Sequence, residues 1–217
     1  MTTKKFEPLD FAIQKDAETI RREVLTNTLK MIRYRKLIKW DNATIQKYVK
    51  PISDAGEYLV KLDNKIKDPI GENKDFKGDV IYIKIVSQCA KSIKNNTIVL
   101  QFIKKYINEY KIIIFDDIIN KAKYELKNTY NHLEIFTQRN LMIDLMSTDL
   151  APTSCVVLTD EESIKLKKEY MVTSKQMPKI KLYDPMAEYM GAPIGSVIKI
   201  IGKSQNSVVE VRYRIVV

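Results

Sequence analysis

The chain has 217 residues, enough for one large domain or two small ones, and its 45% apolar and 29% charged residues make a globular composition. Its net charge of +10 suits a nucleic-acid neighbour, because binding phosphates releases counterions. No apolar run approaches the ~18 residues of a membrane span, the first residues lack the apolar core of a signal peptide, one histidine (His132) excludes most His-based catalysis and zinc sites, and Cys89 and Cys155 fit no metal or disulfide spacing, as in a reducing compartment.

Residues 1–15 read as a loose arm. Asp16 to Trp40 reads as one helix, with Ile20, Val24, Met31, Tyr34 and Ile38 on one stripe. Arg33, Arg35, Lys36 and Lys39 cluster near its end. They either complement the helix dipole or face phosphates. A second short helix over 41–50 is stopped by Pro51, and residues 64–79 read as an exposed loop. Val80–Val86 has strand composition with nearly continuous apolar residues, so both of its faces should be covered. Thr97–Tyr110 is helical by pattern and Lys111–Phe115 is a short apolar strand. A helix follows Asp116-Asp117 to about Lys127, with Asp117 as a candidate cap. Leu133–Phe136 and Leu141–Leu145 are two further candidate strands. Strand and helix alternate, so the pattern predicts an α/β domain with parallel pairing over residues 1–146.

Ser147–Pro152 reads as a domain joint, which makes 147–217 a small α+β unit. Within it Thr159 and Glu162 form a capping box for a helix to about Tyr170. Asp184 caps a short helix with Pro185 in its first turn and Gly191 at its end. Ser196–Ile201 and Val208–Val216 read as a hairpin turning over Gly202–Ser207. Charge divides unevenly between the two units. Residues 147–217 hold 10 Lys or Arg and 8 Asp or Glu, a net of +2, so the first 146 carry +8 of the total.

Catalytic constellations are absent from the sequence. Asp116 or Asp117 with Glu125 and Lys127 resembles a restriction-type nuclease set, but Glu and Lys two apart share a face only on a strand, and 118–127 reads as helix. The six glycines lack phosphate-loop spacing, no Ser/His/Asp or Cys/His set can be assembled, and aromatics do not alternate with bases on any strand. No cofactor, metal or small-molecule substrate is expected. A hairpin on so small a unit either covers its own helices or offers an edge to another chain.

The C-terminal text is specific. Lys175-Gln-Met-Pro-Lys-Ile180 is similar to a Gln-Leu-Pro-Arg-Ile signature. Leu158-Thr-Asp-Glu-Glu162, Asp184-Pro185, Tyr189, Gly191, Gly195, Val197, Lys199-Ile200-Ile201 and Tyr213-Arg214 fall in register with the same family. This block resembles the C-terminal assembly domain of the fifth subunit of eukaryotic-type DNA-directed RNA polymerases, a domain shared with the small archaeal counterpart of that subunit. The family follows the Ile-Ile pair with Arg and a Ser-Glu-Thr turn, where this chain has Gly202-Lys203-Ser204-Gln205-Asn206. The N-terminal 146 residues are similar to the family's jaw domain in layout only, which points to a eukaryotic or large-DNA-virus version.

The resemblance implies a non-catalytic polymerase subunit. Its C-terminal domain (147–217) would dock on the largest subunit and the rest of the core, and its jaw (1–146) would lie near downstream double-stranded DNA. The implied docking residues are Pro178, Ile180, Asp184, Pro185, Tyr189, Gly195, Val197, Lys199, Ile200, Ile201, Tyr213 and Arg214. The candidate DNA-proximal residues are Arg33, Arg35, Lys36 and Lys39. The implied location is the nucleus for a cellular protein, or virion and host cytoplasm for a viral one. The alternative is a free-standing nucleic-acid-binding transcription regulator that reuses the assembly fold.

Overall fold

Asp16 starts α1 (Ala17–Tyr34) by accepting a hydrogen bond from the Thr19 N–H. The structure, a computed structural model, describes residues 15–51, 56–66, 76, 78–90, 97–148, 151–203 and 209–217, without the side chains of 88–90 and 97. Lys15 apart, the predicted arm over 1–15 lies outside these residues, as does most of the hairpin turn. α1 stops at Tyr34, short of the expected Trp40. Lys36 takes φ +60°, its N–H reaches the Arg33 carbonyl, and the Leu37 N–H reaches the Ile32 carbonyl. That left-handed closure satisfies the last-turn carbonyls. The pattern does not announce it, because Lys stands where Gly is usual.

Asp41 caps α2 (Asn42–Val49) in the same way. Then β1 (Glu57–Lys61), β2 (Val80–Ala90), β3 (Tyr110–Ile118) and β4 (Leu133–Thr137) form one sheet in sequential order. β1 is antiparallel to β2, while β2–β3 and β3–β4 are parallel, as the alternation predicts. The crossovers are α3 (Thr97–Lys105) and α4 (Asn120–Thr129). Alternate side chains serve two cores. Ile81, Ile83, Ile85, Ile112 and Ile114 join α1, whereas Val86, Ile113, Phe115 and Ile135 pack with Val99, Phe102 and Ile103 of α3 and Leu126 of α4.

Four local expectations change. No element is predicted at β1, although Tyr58 and Val60 are buried and alternate with exposed Leu59 and Lys61. α3 ends before Tyr110, which already pairs with Ile81 in the sheet. β3 runs through Asp116 and Asp117, so the cap position of α4 is Ile119, without a side-chain bond. Asp117 instead accepts from the Ile118 N–H. The Leu141–Leu145 strand is replaced by α5 (Gln138–Leu141) and a 3₁₀ turn, Leu145–Ser147. Asp144, within the expected strand, instead caps that turn by accepting from the Met146 N–H.

The second sheet has the order β5-β7-β8-β6, built from β5 (Ser154–Val157), β6 (Lys179–Ile180), β7 (Val197–Gly202) and β8 (Glu210–Val216). β7 and β8 form the predicted antiparallel hairpin, β5 adds antiparallel to β7, and β6 adds parallel to β8. α6 (Asp160–Glu169) carries the predicted capping box in full. α7 (Pro185–Met190) has Asp184 as cap, Pro185 in its first turn and Gly191 at φ +63° closing it. Val197 and Ile215 face α6 with Leu166 and Met177. Ile198 and Val216 face the other way, into the buried cluster that also holds Leu25, Ile32 and Ile112, so one core runs beneath both sheets.

Candidate docking and nucleic-acid surfaces

Arg35, the base nearest the end of α1, lies inside the molecule. Its Nη1 donates to both Glu134 carboxylate oxygens at 2.9 Å, its Nη2 to the Glu188 carbonyl at 2.9 Å and its Nε to the Tyr189 carbonyl at 2.8 Å. Its side chain is 6% exposed. Burial opposes its charge, but Glu134 beside it more than compensates. Tyr110 donates to the same carboxylate at 2.6 Å, and its phenol is pushed well above the ordinary range by burial and by Glu134. The guanidinium thus bridges α1, β4 and the last carbonyls of α7, and it cannot also serve DNA. Gly191 is required there. A Cβ would stand 2.9 Å from the Arg35 Cζ and 3.1 Å from Glu134 Oε1, at a left-handed φ. Around the same seam Lys123 and Lys127 of α4 reach the Glu188 carboxylate at 2.8 and 3.3 Å.

Of the other bases near α1, Arg33 is half-buried, donating to Asn42 Oδ1 at 2.7 Å and lying over the Tyr34 ring. Lys36 and Lys39 are exposed. Lys36 helps hold the Glu162 carboxyl low, after the hydrogen bonds from Thr159, and together with Lys199. The nuclease set does not form. Glu125 and Lys127 both lie on α4, and Lys127 is committed to Glu188.

The C-terminal candidates separate into interior and surface. Tyr189 is buried with its hydroxyl 3.3 Å from Asp144 Oδ1, and burial, then Asp144, raises its pKa. Val197 is fully buried and Ile180 nearly so. Tyr189 and Val197 act within the fold, with no surface for a partner, whereas Ile180 keeps a small exposed edge. Pro178, Pro185 and Gly195 are exposed, and Asp184, Lys199, Ile200, Ile201, Tyr213 and Arg214 are half-buried. Tyr213 packs on Tyr170, which follows α6, with ring centroids 6.0 Å apart.

Ile180, Asp184, Ile200 and Arg214 line a cavity of about 580 Å³ together with Pro152, Lys179, Lys181, Tyr183 and Met186. A neighbouring cavity of about 570 Å³ shares Pro152 and Ile200 and adds Lys203, Glu210 and Arg212. The two form one groove over the outer halves of β7 and β8. Sequence reading names Ile180, Asp184, Ile200 and Arg214 of this groove but not Pro152, Lys179, Lys181, Lys203, Glu210 or Arg212. A lysine in a loop or a two-residue strand carries no periodic signal.

Comparison with known proteins finds a family domain at the C-terminal end. Residues 143–216 match the family described as RNA polymerase Rpb5, C-terminal domain. A protein of Acanthamoeba polyphaga mimivirus named DNA-directed RNA polymerase subunit 5 is 26% identical over 161 residues, 74% of this chain and 70% of that protein, so the likeness reaches well into the N-terminal half. Subunit RPABC1 of DNA-directed RNA polymerases I, II, and III from Caenorhabditis elegans is 38% identical over 85 residues, 39% of this chain and 40% of the relative. The namesake from Dictyostelium discoideum is 30% identical over 127 residues, 53% of this chain and 64% of the relative. These names favour a polymerase subunit over a free-standing regulator. Residues 143–216 thus carry an Rpb5 C-terminal domain, and the chain is similar to DNA-directed RNA polymerase subunits from virus, amoeba and worm.

Proposed function

We propose that the chain divides its work at about residue 147: residues 147–217 dock on the largest polymerase subunit, and residues 1–146 lie beside downstream duplex DNA. It takes no part in bond making. The observation that carries this reading is the charge split of +8 against +2, set beside a C-terminal half that matches the family. The exposed candidates Pro178, Pro185 and Gly195, with half-buried Lys199–Ile201 and Arg214, are the docking set. On the other half exposed Lys36 and Lys39 remain for DNA, and Lys47, Lys50 and Lys61 are exposed as well. Such contacts hold phosphates without reading bases. The protein would work in the nucleus of a cell, or in the virion and host cytoplasm if viral.

Purification of the tagged chain from its native source tests the reading. Stoichiometric recovery of the two largest polymerase subunits is expected, and recovery of the chain alone refutes it. In the recovered enzyme, Lys36→Glu with Lys39→Glu should weaken downstream DNA contacts and flatten their salt dependence by about one unit of log–log slope per lost phosphate contact. An unchanged affinity and slope would remove these lysines from the DNA path.

A further inference from the structure

The groove over β7 and β8 carries charge that the chain itself does not answer. Lys179, Lys181 and Lys203 line it, are exposed, and make no ion pair or side-chain hydrogen bond among the described residues. Its two acids are already engaged. Glu210 holds Arg212 at 2.5 Å, and Asp184 caps α7 through the Met186 N–H at 2.9 Å. Arg214 points its guanidinium at the Lys179 carbonyl, 3.2 Å away, and adds another positive charge to the wall. The floor is different in kind, since Ile180, Ile200 and Met186 line it beside Pro152.

From this combination we infer that the groove seats an acidic, extended segment of the largest polymerase subunit, its carboxylates on the lysine rim and alternate apolar residues on the isoleucine floor. The inference rests on the docking reading above and adds the chemistry of the partner. A phosphate backbone would satisfy the rim but gain nothing from an apolar floor. A polypeptide with a two-residue period satisfies both at once. Three free lysines around one groove also favour capture of an acidic chain through on-rate, so the contact should weaken steeply with salt.

The test uses the assembled enzyme. A photo-crosslinking amino acid replaces Lys181 on the groove wall, and in a control chain replaces Ile164 on the exposed face of α6. Each tagged chain is purified with its polymerase and irradiated. Crosslinking from position 181, and not from 164, into an acidic stretch of the largest subunit is the expected result. Crosslinking to nucleic acid or to another subunit overturns it. The combined variant Lys179→Glu, Lys181→Glu and Lys203→Glu, all at exposed positions, should keep its thermal midpoint and retain the largest subunit at least tenfold less. Unchanged retention also overturns it. If neither chain recovers polymerase subunits at all, the docking reading itself fails. Binding of the full chain to a labelled Glu-Ile repeat peptide then decides the groove's chemistry, and no preference over a Gln-Ile peptide rejects it.

Discussion

Arg35 shows how a residue type is legible while its role is not. A base at the end of a helix fits both dipole complementation and phosphate contact, and sequence cannot see that Glu134, 99 positions away, waits opposite it. In the fold its guanidinium spends four N–H donors on a carboxylate and two carbonyls, and Nη2 also reaches Met31 Sδ at 3.6 Å. Removing one partner of so buried a pair strands the other, so Arg35→Leu should cost about 3–5 kcal/mol in urea denaturation. Arg35→Leu with Glu134→Leu should cost less than the two single changes added together, because the uncompensated carboxylate is then gone. A loss below about 1 kcal/mol for Arg35→Leu would show that the seam does not depend on this pair. Gly191, Asp184 and the Thr159–Glu162 box were readable because each performs a local backbone task with a fixed residue preference.

Elements were legible where side-chain period and burial agree. The apolar runs of β2 and β3 are covered on both faces, and the β7–β8 hairpin alternates between α6 and the shared core. β1, β5 and β6 were missed because they are short and their backbones are ordered by a neighbouring strand. α3 ended early for a reason hidden in the next strand. Lys111, 1% exposed, sends its ammonium back to the carbonyls of Tyr106, Ile107 and Glu109, at 2.8, 3.1 and 2.8 Å. These lie just past the end of α3, where a cation is favoured. Burial lowers the Lys111 pKa from 10.5 to about 8. Below pH 8 the group is charged folded and unfolded, and the cost of burying it is fully present. Between pH 8 and 10.5 the unfolded chain binds the extra proton, so this group makes stability rise with pH. Denaturation midpoints taken from pH 7.5 to 9.5 should therefore climb in the parent chain, and the climb should vanish in Lys111→Met. An equal slope in both would assign it to other groups.

At the scale of the whole molecule, the division between the halves marks different surfaces and one shared interior. The buried cluster draws Leu25, Leu29 and Ile32 from α1, Ile81 and Ile112 from the first sheet, and Tyr189, Ile198 and Val216 from the C-terminal half. Around it Arg35 and Glu188 tie α1, α4, β4 and α7 together. About seventy residues alone make a small core, and separating the halves would expose side chains that are now fully buried. The molecule should thus unfold in one transition. Fluorescence of Trp40, the single tryptophan, reports the N-terminal half, and hydrogen exchange at the amides of Ile198 and Val216 reports the C-terminal sheet. Both should give the same unfolding free energy within about 1 kcal/mol, and Arg35→Leu should lower the two together. If the C-terminal amides keep their protection while the Trp40 signal melts, the seam is a hinge, and motion of one half would not reach the other through it.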